Sequence, residues 1–372
     1  MEEIKDIKVN NVTAEPVLKP FFADKNKRAF WVAGPCSAES ESQVLDTAHA
    51  LASANIDLFR AGIWKPRTRP NSFEGIGTDG LKWLNRVTAE TGLKVCTEVA
   101  NTKHVEACLK HNIDVLWIGA RTTVSPFAVQ EIANALQGTD VKVMIKNPIN
   151  PDLKLWVGAI ERIAKAGIEQ IAVIHRGFSS FEKNKYRNQP RWQIAIELKS
   201  QFPDITMICD SSHISGSRDL LEEIAQKALD LNYDGIMMEV HPNPDIALSD
   251  ADQQITPATF MEMKARLKYR PAEIDDSAFI ESLGNLRLQI DEIDDEIISL
   301  MNSRMEIVDQ IGAYKKRNNI SILQTKRWSE IMERCIAKGN ELGLSTDFIS
   351  NMLKAVHQES INRQHKILNR ED

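Results

Sequence analysis

Between Ala29 and about Lys268 the chain alternates eight times between a short β-rich run and a longer amphipathic segment. The short runs are Phe30–Gly34, Leu58–Gly62, Lys94–Glu98, Val115–Ile118, Val141–Ile145, Gln170–Ile174, Thr206–Cys209 and Gly235–Glu239, with helical spacing between them, as in Asp79–Thr91 or Asp152–Ala166. Strands separated each time by a helix pair in parallel, and the helices cover the sheet. Eight such units match an α/β TIM barrel, (β/α)8; an open doubly wound sheet is the alternative. Cationic and metal-capable residues follow strands all around the count rather than at one switch point, which favours the closed barrel.

The alternation stops near residue 268. Tyr269–Asp276 is polar and contains Pro271, so 269–277 reads as a linker. Beyond it strand signals cease. Apolar residues recur every three or four positions over Ser277–Arg317, among them Leu286, Ile290, Ile293, Ile297, Leu300 and Val308. Two further helices are expected over about Gln324–Leu342 and Thr346–Leu368. The reading is a barrel domain over 1–268, whose first 28 residues form a short extension, and a small all-α three-helix domain over 278–372. An apolar face sustained for some 30 residues, about 45–50 Å of helix, is too long to bury within so small a domain. A homodimer through the helical domain, or a higher oligomer, is therefore expected.

Charge and composition exclude several partners. The net charge of −6 carries no basic block, which argues against nucleic acid. No apolar run approaches the roughly 20 residues that cross a bilayer, which argues against a membrane. The first residues, MEEIKDIKVNNV, are too charged for a signal peptide, and five irregularly spaced cysteines suit a reducing compartment. A cytoplasmic location is expected.

Four metal-capable side chains fall just past strands: Cys36 after the first, His213 after the seventh, and Glu239 and Asp250 at and after the eighth. These strands are neighbours in a closed barrel, so one thiol, one imidazole and two carboxylates would converge at one mouth, a set suited to a divalent transition metal. Singly, a buried cysteine or a capping aspartate needs no function. A lone carboxylate ending a buried strand does need a partner. Interleaved with them are Arg60, Lys65, Arg67, Arg121, Lys146 and Arg176. Cations at separate strand ends are the pattern expected for fixing carboxylate and phosphate groups.

The segments AGPCS, KPRT, IGARTT, IKNP, HRGF, CDSSH and EVHPNPDIALSD, in that order, resemble the short type I-beta group of 3-deoxy-D-arabino-heptulosonate 7-phosphate (DAHP) synthases over about residues 30–268. The resemblance implies condensation of phosphoenolpyruvate with erythrose 4-phosphate, the entry step to the aromatic amino acids. It implies a divalent metal ion, Mn²⁺ or similar, on Cys36, His213, Glu239 and Asp250. It also implies that Arg60, Lys65, Arg121, Lys146 and Arg176 hold phosphoenolpyruvate, while Arg67 and Thr68 hold the aldose phosphate. Lys65 is the candidate proton donor to the aldehyde oxygen. A related synthase that uses arabinose 5-phosphate lacks KPRT, so Lys65–Thr68 argue for the four-carbon aldose. Two departures are Ser211, where many relatives have proline, and IKNP in place of Lys-Arg-Gly.

The helical part, with Leu286-Arg287, Leu300-Met-Asn-Ser-Arg304, Ile311-Gly-Ala-Tyr-Lys315, Gln324, Arg327 and Gln364, resembles an AroQ-type chorismate mutase over about 278–372. That resemblance implies a pericyclic rearrangement of chorismate to prephenate that needs no cofactor. Arg304, and Arg287 from the other protomer, would bind carboxylates. Lys315 and Gln364 would donate to the ether oxygen, with Arg327 and Ser360 supporting the second carboxylate. Trp328 and Gln324 stand where relatives carry Glu and Asp near the substrate hydroxyl, so a non-catalytic, ligand-binding dimerisation module is the alternative. The 28 residues before the first strand are too few for a separate sensing domain. Prephenate or chorismate bound among Arg287, Arg304 and Lys315 is accordingly the expected feedback effector of the barrel.

Overall fold

The structure is a computed structural model and describes residues 18–22, 29–66, 72–180, 185–270 and 276–369. The chain divides into two units, Met1–Ala272 and Glu273–Asp372. Most of the expected linker and extension lies outside the described residues.

The first unit is a closed barrel in sequence order: β1 (Phe30–Gly34), β2 (Leu58–Arg60), β3 (Val95–Val99), β4 (Val115–Ile118), β5 (Lys142–Lys146), β6 (Ile171–His175), β7 (Thr206–Asp210) and β8 (Gly235–Glu239). All pairings are parallel, and β1 closes on β8 in register from Phe30↔Gly235 to Gly34↔Glu239. The period-2 rule divides the side chains. Val32, Leu58, Val115, Trp117, Ile174 and Met237 fill the barrel, while Trp31, Ala33, Phe59, Leu116 and Val173 pack outward under the helices. Phe21, 1% exposed, belongs to the inner cluster, so the segment before β1 plugs the barrel.

β5, β6 and β7 each run one residue further than the sequence suggested, to Lys146, His175 and Asp210. Apolar pattern stops at the last hydrophobic residue, whereas the ladder continues through polar residues that are buried and paired. Short helices Ala120–Thr123 and Ser211–Ser215, which the periodicity did not signal, follow β4 and β7 directly.

A repeated turn anchors the strand starts. Asn55-Ile56-Asp57, Asn112-Ile113-Asp114 and Asn232-Tyr233-Asp234 precede β2, β4 and β8. Each asparagine has a positive φ, the left-handed turn that asparagine tolerates. The middle residue is buried, and each aspartate accepts a backbone N–H from the preceding strand, from Trp31 (2.8 Å), Val95 (2.9 Å) and Met207 (2.7 Å).

The second unit holds three helices: Ser277–Arg317, Thr325–Glu341 and Thr346–Leu368. Gly312 lets the first and third approach, since a Cβ there would lie 3.1 Å from Ile367 and 3.4 Å from the backbone of Gln364. On the first helix Leu286, Ile290, Ile293, Ile297 and Leu300 remain exposed. Among the described residues no helix is long and apolar enough to cross a membrane.

Wholly buried His175 ties the loop after β6 to the turn before β8. Its Nε2–H donates to the Pro190 carbonyl at 2.6 Å, and Nδ1 accepts from the Tyr233 hydroxyl at 2.8 Å. Burial first, then the neighbouring Arg176 charge, brings its pKa down to about 4 against the Pro190 bond. Between that value and the ordinary 6.5 the unfolded chain binds the extra proton, so stability falls as pH falls through this window. The expected cost from pH 7 to pH 5 is about 2 kcal/mol for this group. Urea unfolding of the barrel at the two pH values should show a smaller loss in His175→Gln than in the parent; equal losses would refute the assignment.

Candidate active site at the barrel mouth

Gly34 ends β1 with φ +146°, and a Cβ there would lie 2.2 Å from the Arg60 carbonyl oxygen, so only glycine brings this turn against β2. The chain then delivers Cys36, fully buried, whose backbone N–H donates to Gln254 Oε1 at 3.0 Å. Its Sγ lies 3.0 Å from Lys65 Nζ and 3.3 Å from Asp250 Oδ2. Ligand atoms of Cys36, Glu239 and Asp250 all fall within 4.8 Å of one another. His213 stands beside this trio rather than within it. Its Nδ1 is 2.9 Å from Asp210 Oδ2 and 3.7 Å from Glu239 Oε1, without hydrogen-bond alignment to either.

The trio fits a divalent cation. Glu239 Oε1 is buried and has no hydrogen-bond partner among the described residues, although Arg60 Nη2 is 3.1 Å away. Burial, then the Glu239 charge, pushes the Cys36 thiol up to about 12 against the pull of Lys65. A thiol in that state becomes a ligand only when a cation takes the proton's place. Glu239 and Asp250 behave oppositely. Burial would raise both, but His213 and then Arg60 hold Glu239 below its usual range, and His213 and then Arg187 hold Asp250 well below it. Burial lowers the His213 pKa, although Asp210 beside it opposes the shift.

Next to the trio opens a cleft of about 360 Å³ whose lining includes Lys65, Arg121, Lys146, Arg176, Arg187 and Glu98. Lys146 Nζ is held at 2.8 Å by the buried carboxylate of Asp210. Burial and then the crowding of Arg187 and Arg121 bring Arg176 down to about 10, although Asp210 opposes them. Such a cluster of cations is short of negative charge, which a phosphorylated acid would supply. Arg60 lies below the cleft, 1% exposed, with its guanidinium 5.1 Å from the Trp117 ring centre and its Nε unpartnered among the described residues. Lys65 binds the Cys36 carbonyl and Sγ. Burial would lower its pKa, yet Cys36 and Glu239 raise it on balance, so the ammonium persists. Arg67 and Thr68 lie outside the described residues.

Sequence reasoning missed Asp210, Arg187 and Gln253. Asp210 stands inside CDSSH and could have been found as the only carboxylate of that segment. Arg187 lies in a polar stretch where nothing distinguishes it from neighbouring Lys185 and Arg191.

In the helical unit the first and third helices bring together Arg304, Ser360 and Gln364. Arg304 Nη1 donates to Ser360 Oγ at 2.8 Å, and Gln364 Nε2 to the Ser360 carbonyl at 3.3 Å. Gln364 Oε1 is buried without a partner among the described residues. Lys315 Nζ donates to the Ile322 carbonyl at 2.5 Å, and burial lowers its pKa. His357, which the sequence did not flag, stacks on Trp328 at 4.1 Å and keeps a buried Nε2 without a hydrogen-bond partner among the described residues. Burial and then the charges of Arg304 and Lys315 lower its pKa. Arg287, Gln324 and Arg327 are exposed, and Arg327 pairs with Glu330 on its own helix at 3.3 Å. Arg287 precedes Arg304 by about 25 Å of helix, so one protomer does not place both at one site.

The DAHP synthetase I family matches residues 8–273, and chorismate mutase type II matches residues 286–365. A phospho-2-dehydro-3-deoxyheptonate aldolase of Thermotoga maritima is 30% identical over 237 residues, 64% of this chain and 68% of that protein. A 2-dehydro-3-deoxyphosphooctonate aldolase of Acidithiobacillus ferrooxidans is 31% identical over 239 residues, 59% of this chain and 82% of its own length. The crystal structure of the Thermotoga maritima DAHP synthase superposes with a TM-score of 0.58 at 28% identity, covering 64% of this chain and 68% of that one. With its barrel, its mouth and these relatives together, the chain belongs to the DAHP synthetase I family and carries a type II chorismate mutase domain after the barrel.

Proposed function

We propose that the barrel condenses phosphoenolpyruvate with erythrose 4-phosphate to give DAHP and phosphate, and that the helical unit rearranges chorismate to prephenate. The observation that carries the first reading is one mouth in which Cys36, Glu239 and Asp250 meet Lys65, Arg121, Lys146 and Arg176. These cations neutralise and orient the substrate's carboxylate and phosphate, with Arg60 contributing from the floor. Lys65 Nζ delivers a proton to the aldehyde oxygen as C3 of the enol phosphate bonds to the aldehyde carbon. Water adds at C2 and releases a proton that restores the Lys65 ammonium. The C2–O bond to phosphate then breaks as the new C2 hydroxyl becomes the ketone and its proton leaves with the phosphate. Cys36, Glu239 and Asp250, with His213 beside them, would hold a divalent ion such as Mn²⁺, which when bound supplies Lewis acidity toward the aldehyde. Relatives that use either sugar match this chain; Lys65-Pro66-Arg67-Thr68 favours the four-carbon aldose, whose phosphate Arg67 and Thr68 would take.

The helical reading rests on Arg304, Ser360 and Gln364 linked by hydrogen bonds between the first and third helices. A Claisen rearrangement needs fixed donors around a dianion rather than an acid–base pair. Arg304 binds one carboxylate and Arg327, with Ser360, the other; Lys315 and Gln364 Nε2 face the ether oxygen, and Gln324 the hydroxyl. Arg287 comes from a second copy. The exposed apolar residues of Ser277–Arg317 supply the surface for that homodimer.

Removal of metal with a chelator should abolish condensation, and Mn²⁺ should restore it. Full activity in dialysed, metal-free Cys36→Ala would sink the barrel reading. Arg304→Ala should lower mutase turnover by roughly 100-fold, the worth of a charge-assisted contact to a carboxylate, while condensation stays unchanged. Equal loss of both activities would instead indicate a folding defect. Prephenate bound among Arg304, Lys315 and Arg287 should inhibit condensation in the parent and not in Arg304→Ala. Inhibition of the same strength in both would place the effector elsewhere.

A further inference from the structure

Outside the ligand trio, a chain of polar contacts joins its two carboxylates. Gln253 Nε2 donates to Glu239 Oε2 at 2.6 Å, and Gln253 Oε1 accepts from Arg187 Nη1 at 2.7 Å. The same guanidinium nitrogen lies 3.0 Å from Asp250 Oδ1. Each carboxylate therefore has one oxygen held from outside and one left for the centre: Glu239 Oε1, which has no hydrogen-bond partner among the described residues, and Asp250 Oδ2, 3.3 Å from Cys36 Sγ. Gln253 is 1% exposed, so its amide is held between its partners. Asp250 sits in the left-handed region at φ +49°, a conformation that aspartate tolerates better than most residues.

Arg187 is itself anchored from the β7 side. Its backbone N–H donates to the Ser215 carbonyl, and Asn188 Nδ2 donates to the His213 carbonyl at 2.6 Å. Gly216, at φ +70°, leaves the room the arginine stem needs, because a Cβ there would come within 2.4 Å of the Arg187 Cβ. Asn188 Oδ1 also accepts from Arg176 Nη1 at 2.7 Å. One dipeptide after β6 thus touches the loops that carry His213, Asp250 and a phosphate-facing cation.

We propose that Arg187 and Gln253 form a brace that turns Glu239 Oε1 and Asp250 Oδ2 toward the divalent cation and fixes both carboxylates as one-oxygen ligands. Both are positioning residues, and the inference rests on the cation assigned above to Cys36, Glu239 and Asp250. A ligand whose second oxygen is already held loses less freedom on binding, and outer partners of this kind change metal affinity by about 10- to 100-fold. The sign is informative. Arg187 also brings positive charge close to the cation, so if it acted only through that charge, its removal would tighten binding.

The test is Mn²⁺ affinity of the full-length chain without substrates, read by the loss of free-ion electron paramagnetic resonance signal. Thermal unfolding of the metal-free proteins serves as the fold control. Arg187→Met and Gln253→Leu should each weaken Mn²⁺ binding about 10- to 100-fold, and the double variant should lose little more than the worse single one. Arg187 is 45% exposed at its side chain, so Arg187→Met should unfold at the parental temperature without metal and still lose affinity. Mn²⁺ affinity within threefold of the parent, or tighter, in Arg187→Met overturns the brace and leaves the cation site standing. A parent chain that binds no Mn²⁺ overturns both.

Discussion

A carboxylate that water does not reach ends β8, and the mouth is organised around keeping Glu239 ionised there. Desolvation of a carboxylate costs several kcal/mol before any partner is counted. Arg60 and His213 are the counter-groups nearest to it, and Gln253 takes its second oxygen. Arg60 in turn is as buried as Glu239 and stands over Trp117, whose ring also lies 5.7 Å from Lys146 Nζ. Lys146 then needs Asp210. Each charge in the floor is thus the condition for burying the next. Loss of any single member leaves an uncompensated charge behind, which is the expensive outcome for a buried network.

The same residues show why the fold was legible from the chain and the site only in part. Strand–helix alternation survives in one dimension, because burial on both sides writes apolar runs and turns punctuate them. Cys36 and Glu239 could be read because each stands at or just after a strand end, where position along the chain translates into position around the mouth, and Asp250 because it lies in the loop that follows β8. Arg187 and Gln253 could not. Arg187 lies in an irregular loop and Gln253 in the one-turn helix Ala251–Gln253, placed by positive-φ residues such as Gly216 and Asp250 and by amide contacts that no periodicity announces. On the first helix the apolar spacing marked a face that stays exposed from Leu286 to Leu300 and is buried at Met305 and Val308, and nothing in the sequence set His357 beside Trp328.

The two units use charge differently. The barrel buries charges in pairs, such as Arg60 with Glu239 and Lys146 with Asp210, and gathers Lys65, Arg121, Lys146 and Arg176 at the cleft. The helical unit keeps Arg287 and Arg327 exposed and buries the neutral donors Ser360 and Gln364. A site that moves protons and phosphate works with ionised groups whose strength is set by burial. In the helical unit the donors take their direction from helix packing, and a Cβ at Gly312 would come within 3.4 Å of the Gln364 backbone.

The Asn-x-Asp turns lie at the strand starts, the end of the barrel remote from this chemistry. Their aspartates bind backbone N–H groups, their middle residues bury apolar surface, and none of them lines the cleft. Closure is thereby secured by residues that take no part in the reaction, while the opposite end accommodates strained backbone and desolvated charge that weaken the fold. In a TIM barrel such a division separates the substitutions that alter activity from those that alter stability. The loops of the mouth can therefore change their chemistry without renegotiating how the barrel closes, a freedom on which evolutionary divergence within such an architecture depends.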